Sequence, residues 1–212
     1  MTLKHLQVAL GLFFISIMLS SCEAIRVVTH EVNKSPQALN IGSYKSDPTH
    51  VSVIFKVNHF GFSNYVGRFN EIDANLYFNN QYPDESRISA IIDTASVDTD
   101  NQLLDAQLRG PNFFDVEIFP KATFIGESII LEDNNHGKVI GTLSIRDEEI
   151  PITLDVTFNG GAKNPLTGED TLGFSAIGTF NRSDIGLTAW LPAVGNTVII
   201  EIEVEFIRQN NG

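Results

Sequence analysis

Cysteine is almost absent: the chain of 212 residues has one, Cys22. That excludes a disulfide within one subunit, a thiolate zinc site and a cysteine nucleophile in the body of the protein. Basic residues are scarce as well, 14 Lys and Arg against 26 Asp and Glu, for a formal net charge of −12. Binding to nucleic acid, or docking on anionic lipid headgroups, needs a surplus of Lys and Arg, so neither is expected. No internal repeat of fixed period and no low-complexity tract is present. The chain also lacks a Gly-x-Ser-x-Gly elbow, a His-Glu-x-x-His pair and a phosphate-gripping glycine loop. His50 and His59 fall on opposite strand parities, which argues against a shared metal site. No catalytic residue, metal or cofactor is therefore assigned.

Long apolar runs are missing everywhere except at the start. Met1–His5 carries one sure positive charge, Lys4, and Leu6–Leu19 (LQVALGLFFISIML) is then almost wholly apolar. That length suits a signal-peptide core and falls short of the roughly 20 residues a helix needs to span a bilayer. It ends in Leu19-Ser20-Ser21-Cys22, which looks like a bacterial lipobox. Glu23 and Arg26 follow at once, which disfavours the competing reading of an anchor helix. Residues 1–21 are thus expected to be a lipoprotein signal peptide, with Cys22 as the acylated residue. Residues 22–43 are the lipid anchor and tether, and 44–207 form a single domain. The expected location is the bacterial cell envelope, lipid-anchored to a membrane and facing the periplasm or the exterior. Acyl chains would hold the protein there whatever its charge.

What the chain does have is period two. Val51, Val53, Phe55, Val57 and His59 share one parity; Val198, Ile200, Ile202, Val204 and Phe206 alternate with Glu201, Glu203 and Glu205. Such alternation marks a strand buried on one face. Similar rows begin at Ile72, Ile88, Ala122, Val139, Ile152 and Phe174, giving about eight strands separated by turn-rich segments. One stretch differs. Thr99 as N-cap, Gln102 three residues on, Leu104 and Leu108 four apart, and Gly110-Pro111 as the stop predict one short helix. An all-β domain of about eight antiparallel strands closes as a barrel or packs as a sandwich, and closure would remove the exposed edges. The inward rows also contain small residues, Ala74, Ala90, Ala122, Gly141, Ala176 and Gly178, which points to room for a ligand.

Particular residues add to the pattern. Asp47-Pro48-Thr49-His50 leading to Val57-Asn58-His59, then Gly67-Arg68-Phe69, resemble the opening of the YceI-like family. Leu104–Arg109, Phe113-Phe114-Asp115-Val116 and Phe119–Phe124 resemble its most distinctive segment, and Gly141–Ile145 and Asn181–Leu187 fit later ones in order. Val51 between His50 and Ser52, and Asp147-Glu148-Glu149 after the Gly141 strand, depart from the family's usual loops. The resemblance covers about residues 44 to 207. It implies an antiparallel lipocalin-like barrel with a long apolar cavity for a polyisoprenoid chain, an isoprenoid quinone or a similar amphiphile.

The residues expected to line that cavity are Val53, Phe55, Val57, Leu76, Phe78, Ile92, Phe124, Leu143, Leu154, Phe174, Ile200 and Ile202. His59, on the inward parity at a strand end, is a candidate for a polar head. Arg68 and Arg182 could also meet a head group, but Glu71 and Asp73 beside the first, and Asp184 beside the second, favour structural ion pairs. Trp190, the sole tryptophan, caps a barrel end or touches ligand. The function expected is non-catalytic binding or carriage of an isoprenoid lipid or quinone-like amphiphile. Two alternatives stay open: an envelope stress or scaffold protein with a packed barrel and a protein partner, and an enzyme acting on a lipid-like substrate. A homodimer is also left open.

Overall fold

The computed structural model describes residues 30–209; Cys22 and the expected signal peptide lie outside them. Ten strands form one antiparallel sheet: β1 (Gly42–His59), β2 (Ser63–Phe69), β3 (Ile72–Phe78), β4 (Arg87–Asp93), β5 (Val97–Asp98), β6 (Lys121–Leu131), β7 (His136–Ile145), β8 (Glu148–Lys163), β9 (Asp170–Asn181) and β10 (Val194–Arg208). Eight of them close on themselves in the order β1, β10, β9, β8, β7, β6, β4, β3 and back to β1. The two others, β2 and β5, extend the sheet from the second half of β1. These two are the strands that alternation alone did not mark.

β1 holds the architecture together because it changes partner halfway. Gly42–Lys45 pairs with β3, whereas Val53–His59 pairs with β2, and β10 lies along the other side of both halves. The change happens at a bulge between Ser46 and Val51. There Pro48, which has no N–H to give a ladder, is tolerated, and the Asp47 carboxylate accepts from the Thr49 N–H and hydroxyl. The bulge also flips parity: Tyr44 and Ser46 are buried before it, and the odd-numbered row Val51 to His59 faces inward after it.

The helix α1 (Gln102–Arg109) lies where expected, but its cap is different. Asn101 Oδ1 accepts from the N–H groups of Leu103 (3.1 Å) and Leu104 (3.3 Å). Thr99 cannot cap, because its N–H and hydroxyl both donate to the buried Asp105 Oδ1, at 2.8 and 2.7 Å. Arg109 pins the other end of the helix through Nε to Ala95 O and Nη2 to Val97 O, both 2.8 Å. At the opposite end of the barrel, the N-terminal strap is fastened to the sheet from Asn33 onward. Asn33 exchanges two backbone hydrogen bonds with Gly161, and Asn80 Nδ2 donates to Leu39 O at 2.6 Å.

Candidate functional site

The barrel interior holds two cavities along one axis. The larger, of about 740 Å³, lies at the end covered by α1; the smaller, of about 270 Å³, lies towards the N-terminal strap. The larger falls within the roughly 300–1,000 Å³ usual for small-molecule sites. Val53, Ile92, Leu143 and Ile200 line both, so these four side chains form the neck between the chambers. The inward row of β10 runs the whole length: Val198 in the helix-end chamber, Ile200 at the neck, Ile202, Val204 and Phe206 in the distal one.

All thirteen residues expected at the cavity line one chamber or the other. Phe55, Val57 and His59 lie in the helix-end chamber. Leu76, Phe78, Phe124, Leu154, Phe174 and Ile202 lie in the distal chamber, and the remaining four make the neck. The small inward residues divide into two kinds. Ala74, Ala90 and Ala176 line the distal chamber and Ala122 the helix-end one. Gly141 and Gly178 open no space for a ligand, because neighbours already fill it. A Cβ on Gly141 would lie 2.8 Å from Phe124 Cε2, and one on Gly178 would lie 2.6 Å from Leu154 Cδ2.

Several wall residues escaped the reading of alternation. Leu104 and Leu108 reach in from α1, Phe113 and Phe114 from the loop after it, and Ile185 and Leu187 from the segment before β10. They sit in loops and one helix, where period two carries no signal; only the helical spacing of Leu104 and Leu108 marked that pair as apolar. Trp190 belongs to the same wall, with its ring centroid 4.9 Å from that of Phe113, and it is half exposed at the opening.

Neither arginine forms the ion pair expected of it. Arg182 is buried, and its guanidinium donates only to backbone carbonyls: Nε to Gly195 (2.8 Å), Nη1 to Leu187 and Ala189 (both 2.7 Å), Nη2 to Val194 (2.9 Å). Burial pushes its pKa down from the usual value. Its planar fork therefore shapes the loop from Leu187 to Gly195, and Asp184 instead accepts from Ser183 Oγ. Arg68 is exposed on β2 opposite Asp98, while Asp73 pairs with Lys45 at 2.7 Å.

The polar groups that reach the helix-end chamber are few, and most are already engaged. Thr94 Oγ1 donates to Phe119 O at 2.8 Å and Thr99 Oγ1 to Asp105. His59 sits near the opening, edge-on to Phe60 with ring centroids 4.5 Å apart. The distal chamber ends against Pro36 and Gln37 of the strap and the turn residues Asn79, Asn80, Asn134 and Asn135.

Residues 44–206 match the model of the YceI-like domain. A UPF0312 protein from Pseudomonas putida is 32% identical over 168 residues, covering 78% of this chain and 86% of that protein. The crystal structure of a Campylobacter jejuni YCEI protein superposes with a TM-score of 0.63 at 31% identity, covering 73% of this chain and 91% of that one. A polyisoprenoid binding domain from Saccharophagus degradans shares the fold, with a TM-score of 0.60 at 13% identity over 80% of this chain and all of that domain.

Proposed function

The chain belongs to the YceI-like family, and from that membership we propose that it binds and carries an isoprenoid lipid or quinone-like amphiphile in the cell envelope, without transforming it. The observation that carries this reading is the continuous apolar interior, two chambers joined at the Val53, Ile92, Leu143 and Ile200 neck. An elongated hydrocarbon chain can thread such a space, and its affinity comes from burial at about 0.8 kcal/mol per methylene. The same-fold domain from Saccharophagus degradans, described as polyisoprenoid binding, supports the choice of ligand class.

The position of His59 supports an orientation. His59 stands beside the opening of the helix-end chamber, where it can hydrogen-bond a quinone carbonyl or a phosphate. The tail would then pass the neck into the distal chamber, which the strap residues Pro36 and Gln37 bound. Carriage rather than catalysis is supported by the wall chemistry. Arg182 is committed to four carbonyls and the hydroxyls of Thr94 and Thr99 are hydrogen-bonded within the fold, so these groups do not supply an acid, base or nucleophile. In this reading Cys22 bears the acyl anchor that keeps the protein beside the membrane supplying its ligand.

A chain-length series tests the reading. Equilibrium binding of isoprenoid alcohols of increasing length should tighten by at least about tenfold per unit, then level off once both chambers are filled. An affinity independent of chain length would contradict it.

A further inference from the structure

The opening of the helix-end chamber is ringed by three segments that are distant in sequence: 58–64 at the turn from β1 to β2, 101–104 at the start of α1, and 188–194 before β10. The first and third are fastened to each other, and the third to the wall behind. The Phe60 N–H donates to Ala193 O at 3.0 Å, and Trp190 packs on Phe113. Their apolar side chains nevertheless point to solvent: Phe62 is 90% exposed, Leu103 81%, Phe60 57% and Trp190 49%. Phe60, Leu103 and Trp190 also line the chamber, so the exposed apolar surface continues into the cavity without a break.

Charge is absent from this ring. In a chain of net charge −12, the three segments contain no Asp, Glu, Lys or Arg. The nearest charges along the chain, Lys56, Arg68, Asp100, Asp105 and Asp184, all lie outside the three segments. Exposed aromatic and aliphatic side chains gathered in one continuous patch mark an interaction site. The ring surrounds a hole rather than forming a flat face, so a rigid protein laid across it would leave the opening unfilled. A lipid surface conforms to such a shape, and Trp, Phe and Leu are the side chains that interfacial segments bury at the headgroup–acyl boundary.

We propose that this rim docks end-on into an uncharged or zwitterionic bilayer, with Phe62 and Leu103 entering the acyl region and the cavity mouth opening onto the lipid. The acidic net charge selects against anionic lipid. Docking would let an apolar ligand move between bilayer and cavity without crossing water; this purpose rests on the lipid-carrying reading, whereas the docking itself rests on the rim. The N-terminal strap leaves from the other end of the barrel, so the rim and the expected tether are at opposite ends.

Trp190, as the only tryptophan, reports on the rim without labelling. The full chain is mixed with phosphatidylcholine vesicles whose acyl chains carry bromine, and Trp190 emission is followed against unbrominated vesicles. Quenching is expected, because bromine acts only at short range, and it holds whatever else fixes the chain to the vesicle. Phe62→Ser with Leu103→Ser, both at exposed positions, should weaken docking about a hundredfold, about tenfold for each side chain withdrawn from hydrocarbon. Absence of quenching, which would leave the rim to a protein partner, overturns the proposal; so does quenching that the double substitution leaves unchanged. Lipid extracted from wild-type protein after separation from the vesicles reads the carrying function separately, so either idea can fail without the other.

Discussion

Ala176→Phe separates a ligand cavity from a packed barrel. Ala176 sits on β9, paired with Val156 on β8 and Ile202 on β10, and lines the distal chamber. That chamber measures about 270 Å³. A phenyl ring needs roughly the 150 Å³ of an engineered cavity that takes up benzene. The substitution therefore fills more than half of the distal chamber while leaving the helix-end chamber open. If the space is real, folding stability in the absence of ligand changes by no more than about 1 kcal/mol, since a ring placed in a void meets no overpacking. Binding of a long isoprenoid should fall by at least about a hundredfold, for roughly two isoprene units excluded from the distal chamber. A short isoprenoid that fits the helix-end chamber alone should bind as before. Urea unfolding and a titration with both chain lengths read the two effects. A stability loss well above about 3 kcal/mol with long-chain binding intact would refute the reasoning, because that is the behaviour of a close-packed core.

Gly141→Ala should destabilise by about 1–3 kcal/mol, since the new methyl would come within 2.8 Å of Phe124 Cε2 and closer still to the Ile125 carbonyl; thermal unfolding measures it, and an unchanged melting temperature would contradict the packing described. Arg182→Lys keeps the charge but not the fork, and should cost about 2–4 kcal/mol as several of the four carbonyl bonds are lost. Faster hydrogen exchange in residues 187–195 should accompany that loss. Asp170 tests the strap. Although burial alone would raise its pKa, bonds from Lys163 and Asn40, with Arg208 nearby, hold its carboxyl below the usual carboxylate value. A depressed folded pKa gives stability that is complete above the unfolded value of about 3.9 and is lost as pH falls through the folded value. The stability gap between wild type and Asp170→Asn should hold steady from about pH 7 to about pH 5 and shrink below about pH 4; a gap that instead widens in acid would contradict the assignment.

Much of the barrel was legible because its inward rows are regular. β10 reads without error: Val198 to Phe206 face the cavity, while Lys56 reaches the outward Glu201 at 2.6 Å. β1 reads correctly from Val51 onward but hides its first half. The bulge after Ser46 shifts the parity, so Tyr44 and Ser46 fall out of the row that Val51 begins. β2 breaks its alternation with polar Ser63 and Asn64 and a glycine at position 67, and β5 has only two residues; neither can sustain an alternation. At the site, the strand residues were readable for the same reason. The helix-end wall was not, since Phe113, Leu187 and Trp190 come from irregular segments that only the closed barrel brings together. Arg182 misled because proximity in sequence to Asp184 says nothing about direction; its side chain turns instead to the carbonyls of the loop it organises. The glycines misled in the opposite sense, since a missing side chain leaves space that Phe124 and Leu154 occupy.

Lipid carriage is tested most directly by native mass spectrometry of the protein purified from a bacterial envelope, followed by solvent extraction and identification of whatever is released. A single isoprenoid lipid or quinone bound at one per chain, released only when the barrel unfolds, is the predicted result. A clean apo mass that stays unchanged after isoprenoid lipids are added would contradict it.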